Sequence, residues 1–222
     1  YCIVVGNCCF FNNRYIHYEI YWRYKSLLSS NWQEGYLDTD EKIHPHRQLL
    51  VKKISQKHSI KSILEIGCSN GINLRIINKK IPGIILEGID INKKALNDGI
   101  NKMKKENIKN IKLKYKSAKN LSSYKNNEFD IVFCDAVLMY IDNYNIKKVL
   151  EEMFRISKKL VIICEQHTDK KSFYNDKWVH NYGHLIKSFS SIKSIVFNSI
   201  SDDFWDGDWI KYGKIILIEK YE

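Results

Sequence analysis

From residue 60 onward, the chain alternates between two patterns of hydrophobic and polar positions. Short apolar runs rich in Ile and Val are typical of buried strands, whereas apolar residues three to four positions apart are typical of helices. Seven strands are predicted, over residues 62–66, 84–91, 111–115, 129–134, 160–165, 194–197 and 214–220. Helices are predicted over residues 72–80, 93–106, 144–157 and 182–189, and the segment 119–124 is predicted as a weak helix or a loop.

This alternation of strands with helices indicates the α/β fold class. Strands separated by helices of about 10–15 residues form βα units, which build a mostly parallel sheet with helices on both faces. The last two strands are joined by a segment without helical spacing, so we expect them to form an antiparallel hairpin at the sheet edge. The expected architecture is therefore a seven-stranded sheet, mostly parallel, with an antiparallel C-terminal strand.

The N-terminal region differs from the rest of the chain. Residues 12–58 are aromatic and polar, and residues 47–54 show helical apolar spacing. The aromatic residues cluster at Tyr15, Tyr18, Tyr21, Trp22, Tyr24, Trp32 and Tyr36. We predict that residues 1–58 form a helical extension of one or two helices, either an arm packed on the main domain or a lid over a pocket. Residues 59–222 form the main domain.

Composition narrows the classes of partner. The 222 residues, 44% of them hydrophobic, suit one domain with an extension, and the net charge is +11. The lysines are spread along the whole chain instead of forming a concentrated patch, so a nucleic-acid partner is not favoured. The apolar stretch over residues 1–11 is too short to cross a bilayer, which needs about 20 residues. No transmembrane segment is therefore predicted.

Cysteine usage indicates a reducing compartment. None of the six cysteines forms a Cys-x-x-Cys pair or has zinc-ligand spacing with histidine, so no metal site is predicted. Cys134 and Cys164 lie in apolar strand-like runs, where a free thiol acts as a small buried residue. We expect a cytoplasmic location.

A glycine turn between the first strand and the first helix of the main domain is the main candidate for chemistry. Residues 67–71 read Gly-Cys-Ser-Asn-Gly. This fits the Gly-x-Ser-x-Gly elbow of hydrolases, with Ser69, Asp135 and His167 as a triad, although such elbows follow several earlier strands. A dinucleotide fingerprint fits less well, because the glycines fall at positions 67 and 71 and position 72 is Ile.

A third interpretation accounts for residues on both sides of the turn. Glu65 precedes Gly67 by two positions, Ser69 replaces a middle glycine, and Asp90 ends the next strand. An acid followed by a Gly-x-Gly-x-Gly turn, with a second acid one strand later, resembles class I S-adenosylmethionine (SAM)-dependent methyltransferases. The segment 129–141 also resembles the family's fourth motif. The resemblance implies a Rossmann-like seven-stranded methyltransferase sheet and SAM as the cofactor.

The resemblance also implies which residues contact the cofactor. Asp90 would hold the ribose hydroxyls, and the strand end at Asp135 would lie beside the sulfonium. The third motif lacks its usual acid, so Ser117 or Asn120 would substitute near the adenine. The full set of expected cofactor contacts is Glu65, Gly67, Cys68, Ser69, Asn70, Gly71, Asp90, Ile91, Ser117, Ala118, Asp135 and Ala136.

The acceptor is less well defined than the cofactor. We expect methyl transfer to an oxygen or nitrogen atom of a small polar acceptor, with a general base for the acceptor proton. The base candidates are His167, His180 and Tyr140, with Glu165 and His184 as further possibilities. The Asp/Asn-Pro-Pro-Tyr/Phe motif of amide and base methyltransferases is absent from the segment 129–141.

Residues 201–209, which are acidic and aromatic, form either a solvated loop or the rim of a pocket for a sugar-like acceptor. Patches of the sequence are also similar to bacterial methyltransferases of nonulosonate and other surface-glycan pathways, which implies a sugar or glycan-precursor acceptor. Two alternatives stay open at this point. One is a degenerate methyltransferase-like domain that only binds a partner, and the other is an α/β-hydrolase that uses Ser69. The oligomeric state is not predicted.

Overall fold

The computed structural model describes residues 14–28, 43–170, 172–174 and 177–221. Trp32, Tyr36 and the apolar stretch over residues 1–11 therefore lie outside the described residues. In chain order the elements are α1 (Arg14–Leu28), α2 (Pro45–Ser55), β1 (Ser62–Ile66), α3 (Ile72–Lys80), β2 (Ile85–Asp90), α4 (Lys93–Lys105), β3 (Ile111–Tyr115), β4 (Phe129–Asp135), α5 (Ile146–Ile156), β5 (Ser157–Gln166), β6 (Ser172–Tyr174), β7 (Lys177–Val179), α6 (Tyr182–Ile186), β8 (Ile192–Ser199), α7 (Asp208–Tyr212) and β9 (Gly213–Lys220).

The main sheet has seven strands in the order β3-β2-β1-β4-β5-β9-β8. Strands β1 to β5 are parallel, whereas β9 runs antiparallel to both β5 and β8. The strand order reverses between β1 and β4, and ligands of open α/β sheets bind at the carboxyl ends of the strands beside such a reversal. The predicted α/β fold, with a mostly parallel sheet and an antiparallel C-terminal hairpin, is confirmed.

The apolar strands are buried because helices cover both faces of the sheet. In β4, Ile131 and Phe133 face one hydrophobic cluster, whereas Val132 and Cys134 face the other. A strand that is covered on both faces reads as a continuous apolar run, which is the pattern that predicted β4. The central strands thereby form a rigid platform for the loops at their carboxyl ends.

Helix α2 attaches the N-terminal extension to this platform. It begins at Pro45, which suits the first turn of a helix because that turn needs no backbone N–H there. Its buried face consists of Leu50, Val51 and Ile54, in the same cluster as Leu74 of α3. Burying three such side chains stabilises the contact by several kcal/mol at about 1.5–3 kcal/mol each. The start of α2 is therefore held above the carboxyl end of β1.

Residues 119–124, predicted as a weak helix or a loop, form turns in which Leu121 and Tyr124 are buried. Two other short features depart from the predicted pattern. The segment predicted as a loop before β9 contains the five-residue helix α7. Strands β6 and β7 pair as a separate antiparallel hairpin that was not predicted. Elements of three to five residues are too short to show a repeating pattern in the sequence.

Candidate functional site

A cavity of about 790 Å³ opens at the carboxyl ends of β1, β2 and β4, where the strand order reverses. Helices α1 and α2 and the segment around α7 complete its walls. Most of the cofactor contacts expected from the sequence lie on these walls, namely Glu65, Gly67, Cys68, Ser69, Asp90, Ile91, Ser117, Ala118, Asp135 and Ala136. The fold therefore brings together residues that are up to about 70 positions apart in the chain.

The turn after β1 is shaped by left-handed backbone conformations. Gly67, Ser69 and Gly71 have φ angles of 72°, 52° and 75°. The backbone N–H groups of Gly67 and Cys68 both donate to the carbonyl oxygen of Ile89, at 2.8 and 2.9 Å, which fixes the turn against β2. A Cβ on Gly67 would lie 2.3 Å from a methyl group of Val137, so this position requires glycine. The backbone of the turn can then pass close to a ligand.

Asp90 connects the two turns that flank the cavity. One carboxylate oxygen accepts from the backbone N–H of Ser69 at 2.8 Å, and the other accepts from that of Asn92 at 2.7 Å. Burial raises the pKa of Asp90, and these backbone hydrogen bonds oppose the rise. An ionised carboxylate has about four lone-pair sites, so each oxygen of Asp90 can still accept a hydrogen bond from a ligand hydroxyl.

Glu65 presents an unsatisfied oxygen to the cavity. Its Oε1 accepts from the side-chain amide of Asn73 at 2.7 Å, whereas the buried Oε2 has no hydrogen-bond partner. Burial raises the pKa of Glu65 to about 8. A buried acceptor without a partner is costly, about 1–3 kcal/mol, and such groups occur where a ligand completes the site. A cationic or hydrogen-bond-donating ligand would satisfy this oxygen.

Asp135, at the end of β4, is the centre of a second group. Its Oδ2 accepts from His46 Nε2 at 3.1 Å, from Arg47 at 2.9 Å and from Asn73 at 3.0 Å. Although burial disfavours ionisation, these three partners together hold the pKa of Asp135 well below its usual range. Its Oδ1 is buried and has no hydrogen-bond partner. Asp135 is thus an ionised carboxylate with one oxygen available on the cavity wall.

An aromatic wall lies beside Asp135. The ring of His46 stacks on Trp205 at a centroid distance of 3.8 Å. Trp205 also stacks on Trp209, with a centroid distance of 3.8 Å and an angle of 5° between the ring planes. Trp205 and Trp209 line the cavity, whereas Asp202, Asp203 and Asp206 of the same segment are exposed to solvent. The acidic and aromatic residues of this segment therefore face in different directions, and the aromatic ones form the rim.

Helix α1 covers the opposite side of the cavity. Tyr18 and Trp22 pack against Tyr140, with centroid distances of 5.6 and 4.9 Å, and Glu19 lies 3.7 Å from the ammonium group of Lys119. Lys119 is next to the expected adenine-binding residues. Helix α1 therefore forms a roof over this side of the cavity, and its movement as a lid stays a prediction.

Two of the expected cofactor contacts do not reach the cavity. The backbone carbonyl of Asn70 packs against Gly99 of α4, where a Cβ would lie 2.3 Å from its oxygen. Gly71 faces the side chains of Met103 and Leu113. Asn70 and Gly71 thus form the base of the turn, since a left-handed turn of this length points only part of its backbone at the ligand.

Two of the three expected catalytic residues also lie away from the cavity wall. His180 is buried, and its Nε2 lies 3.2 and 3.0 Å from the backbone carbonyl oxygens of Leu138 and Ile141. His167 accepts from the backbone N–H of Tyr182 through Nδ1 at 3.3 Å and packs on Phe197. Both histidines stabilise loops. Neither is on the cavity wall.

Of the remaining base candidates, one lies on the cavity wall and two lie elsewhere. Tyr140 lines the cavity. Glu165 accepts hydrogen bonds from the backbone N–H groups of Val137, Leu138 and Met139, and so positions the turn after β4. Burial raises the pKa of Glu165 to about 8, against these three hydrogen bonds. His184 is exposed on α6.

The hydrolase triad is not assembled. Asp135 is occupied by His46, Arg47 and Asn73, and His167 lies off the cavity wall, so Ser69 has no Asp–His pair beside it. The alternative of a hydrolase triad of Ser69, Asp135 and His167 is therefore not supported by the structure. A nucleophilic serine needs a base within hydrogen-bond reach, and the spacing in the sequence could not reveal that Asp135 has other partners.

Sequence reasoning missed four residues of the site: His44, His46, Arg47 and Asn73. The first three belong to the start of α2, a segment in which the sequence showed only helical spacing. The one available signal was the polar side chain of Asn73 in the first turn of the helix after the glycine turn. The aromatic residues at 205 and 209 had been identified as a possible pocket rim.

Within the residues that the structure describes, no helix is both long enough and apolar enough to cross a membrane. In the same residues, no group of three or more His, Cys, Asp or Glu side chains is arranged to hold a metal ion.

Comparison with known structures identifies other proteins with this architecture. The structure of magnesium protoporphyrin IX methyltransferase from Synechocystis PCC 6803 with bound SAM has a TM-score of 0.65 at 13% identity, and the match covers 97% of this chain and 100% of that chain. A SAM-dependent methyltransferase from Aquifex aeolicus has a TM-score of 0.59 at 16% identity, and the match covers 89% of this chain and 96% of that chain. The [4+2]-cyclase SpnF has a TM-score of 0.64 at 13% identity, and the match covers 91% of this chain and 94% of that chain.

At these identities the likeness shows the fold, and the cyclase indicates that the fold alone does not fix the reaction. No curated protein matches the sequence significantly. A family model for a methyltransferase domain, however, matches residues 57–215. This match spans well over half of the chain and includes the glycine turn, Asp90 and Asp135. The chain therefore belongs to this family of methyltransferase domains.

Proposed function

We propose that the chain is a SAM-dependent methyltransferase that transfers a methyl group to an oxygen or nitrogen atom of a small polar acceptor. The observation that carries the proposal is the pair of buried, unpartnered carboxylate oxygens on the cavity wall, Glu65 Oε2 and Asp135 Oδ1. SAM supplies a methyl group on a positively charged sulfonium and carries an α-ammonium group. Such a cation suits this cavity, because Asp135 is ionised there and the binding of a cation favours the ionised form of Glu65.

The side chains fit the separate parts of the cofactor. Asp90 has acceptor capacity for the two ribose hydroxyls, and Glu65 Oε2 would accept from the α-ammonium group. Ile91, Ser117 and Ala118 offer an apolar and hydrogen-bonding surface for the adenine. Since the glycine turn carries no bulky side chain at Gly67, its backbone can lie against the methionine part of the cofactor.

The other half of the cavity suits a small ring-shaped acceptor. Trp205 is stacked between His46 and Trp209, so its edge lines the cavity while its faces are occupied. An acceptor there would meet this aromatic edge beside the carboxylate of Asp135, which is compatible with a polar ring such as that of a sugar or glycan precursor. The roof formed by α1 would exclude water, and holding the acceptor near the sulfonium would supply most of the rate acceleration.

Calorimetric titration tests the cofactor assignment. We expect SAM and S-adenosylhomocysteine (SAH) to bind at one site per chain, and NAD not to compete. Absence of SAM binding at millimolar concentration would overturn the proposal. Binding of SAM without SAH release, over a panel of sugars and sugar phosphates, would favour the alternative of a degenerate binding domain.

The ionisation of Glu65 makes SAM affinity depend on pH. Its raised pKa of about 8 means that the free protein holds a proton there at neutral pH. A cationic ligand favours the ionised form, so binding releases a proton below pH 8, and the affinity should rise by up to about tenfold per pH unit between about pH 6 and 8. Asp90 and Asp135 raise this pKa, whereas Asn73 and Arg47 lower it.

Titrations across this pH range, in buffers with different ionisation enthalpies, measure the released proton directly. Glu65→Gln should flatten the pH dependence and weaken SAM binding. Glu151→Gln, at an exposed carboxylate on α5, should leave both unchanged. An unaltered pH dependence in Glu65→Gln would show that another group releases the proton.

A further inference from the structure

One buried amide joins two carboxylates on the cavity wall. Asn73, which is 1% exposed, donates through Nδ2 to Glu65 Oε1 at 2.7 Å and to Asp135 Oδ2 at 3.0 Å. Because both oxygens lie within 3.0 Å of the same nitrogen atom, they are less than about 6 Å apart. Asn73 therefore connects β1 with the end of β4, at the point where the strand order reverses.

Arg47 determines which end of the amide faces the carboxylates. Its Nη1 donates to Asn73 Oδ1 at 3.0 Å and to Asp135 Oδ2 at 2.9 Å. A guanidinium group can only donate, so the amide oxygen of Asn73 must face Arg47 and the amide nitrogen must face the carboxylates. Asn73 also belongs to the first turn of α3, directly after the glycine turn. The amide is therefore fixed at its backbone and at both of its polar atoms.

The two carboxylates differ in ionisation. Although burial disfavours the charge of Asp135, His46, Arg47 and Asn73 hold its pKa well below the usual range. Burial, with a smaller contribution from the charge of Asp135, raises the pKa of Glu65 to about 8. Two buried carboxylates this close to each other do not easily ionise together. At neutral pH the pair therefore holds one negative charge, and that charge is on Asp135.

Other groups face Glu65 from the neighbouring elements. Asp90 at the end of β2 raises the pKa of Glu65, and Arg47 of α2 lowers it. Burial keeps the thiol of Cys68 neutral in the glycine turn, because it raises the pKa of that thiol. The hydrogen bond from Asn73 lowers the pKa of Glu65 more than any other contact does. Asn73 is therefore the main group that favours the ionised form of Glu65.

We propose that Asn73 is a positioning residue that prepares Glu65 for the cationic end of the cofactor and couples it to Asp135. This role rests on the proposed function, in which the α-ammonium group of SAM binds at Glu65 Oε2. By holding Oε1, Asn73 leaves Oε2 as the oxygen for the ligand. It also stabilises the charge that Glu65 must take up when the ligand binds. Since the same amide nitrogen holds Asp135, a change at one carboxylate alters the other.

Titration of Glu65 in the free protein tests this role without any ligand. Carbon-13 NMR of the glutamate carboxyl carbons in the full chain follows the ionisation, and Glu65→Gln identifies the signal. Asn73→Leu has a similar volume but no donor, so it should raise the pKa of Glu65 by about one to two, because a hydrogen bond to a charged group is lost. Asp135→Asn removes a negative charge and keeps an oxygen that can accept from Asn73, so it should lower that pKa.

The opposite directions of the two shifts separate coupling from general damage to the site. Asn73→Asp is a second variant, because it keeps the shape of the side chain if leucine is not tolerated there. It adds a third carboxylate, and an ionised carboxylate cannot donate, so it should also raise the pKa of Glu65. An unchanged pKa of Glu65 in both variants of Asn73 would overturn the inference, as would a rise in Asp135→Asn.

Calorimetric titration with SAH at pH 7 and pH 9 tests the consequence for binding. Asn73→Leu should bind SAH roughly 10- to 100-fold more weakly than the wild type at pH 7, and the deficit should be about fivefold smaller or less at pH 9, where Glu65 ionises more readily. The titration of SAH itself cancels, because both proteins bind the same ligand. Asn78→Leu on the same helix, whose amide oxygen accepts from Asn110 at 2.7 Å away from the cavity wall, is the matched control and should bind normally.

The outcomes distinguish the two proposals. Failure of the wild-type chain to bind SAM or SAH would overturn the proposed function, and the role of Asn73 in cofactor binding with it. If the wild type binds SAH, an equal deficit of Asn73→Leu at pH 7 and pH 9 would overturn only the role of Asn73, because a purely structural defect does not depend on the ionisation of Glu65.

Discussion

Asp90→Ala is expected to weaken SAM binding by about 100-fold. Two hydrogen bonds from ribose hydroxyls to a carboxylate are worth about 1.5 kcal/mol or more each, and a loss of about 3 kcal/mol corresponds to roughly 100-fold in Kd. The substitution also removes the acceptor for the backbone N–H groups of Ser69 and Asn92. The glycine turn and the turn after β2 would therefore lose their shared anchor as well as the ribose contact.

Calorimetric titration with SAH measures this effect. Asp90→Asn keeps the shape of the side chain but removes its charge, and it should cause a smaller loss while preserving the fold. Asp98→Ala, at a partly exposed carboxylate on α4, is the matched control and should bind normally. If Asp90→Ala binds SAH as tightly as Asp98→Ala does, the ribose lies elsewhere.

Gly67→Ala is expected to lower the free energy of unfolding by about 3 kcal/mol. The φ angle of 72° places Gly67 in the left-handed region, where a Cβ costs about 1–2 kcal/mol. The new Cβ would also lie 2.3 Å from Val137 Cγ2, and overpacking of this kind costs about 1–3 kcal/mol. Val137 is fixed in turn by the hydrogen bond from its backbone N–H to Glu165, so it cannot easily move aside.

A second glycine separates the two costs. Gly83 has a φ angle of 87°, and a Cβ there would meet nothing within 4 Å, so Gly83→Ala should cost only the backbone strain. Urea unfolding of both variants measures the difference. The double variant Gly67→Ala/Val137→Ala should recover part of the stability, since it removes the clash. Equal destabilisation by Gly67→Ala and Gly83→Ala would show that the close approach to Val137 is unimportant.

The seven strands of the main sheet could be predicted from the sequence, because each strand shows its own local pattern of apolar residues. β1 and β3 have the predicted bounds, and the other five strands of the main sheet differ from their predicted bounds by at most three residues at either end. A strand that is buried on both faces is visible as an uninterrupted apolar run, wherever its partners lie in the chain. The glycine turn and Asp90 were also visible, because their spacing follows from a single βαβ unit.

The residues at the start of α2 that line the cavity could not be predicted, because their place there depends on contacts between distant parts of the chain. His46 and Asp135 are 89 positions apart, and no local pattern connects them. His180 was a candidate base from the sequence, yet its Nε2 lies against the backbone carbonyl oxygens of Leu138 and Ile141. The function of a histidine depends on what meets its two nitrogens, and this is a property of the tertiary structure.

A crystal structure with bound SAH would test most directly whether this cavity binds SAM. We expect the ribose hydroxyls within hydrogen-bond distance of Asp90 and the α-ammonium group at Glu65 Oε2. We also expect the sulfur to face the part of the cavity between His44 and Trp205. SAH that is bound outside this cavity, or whose adenine occupies the space beside Trp205, would show that the cofactor site is wrongly assigned.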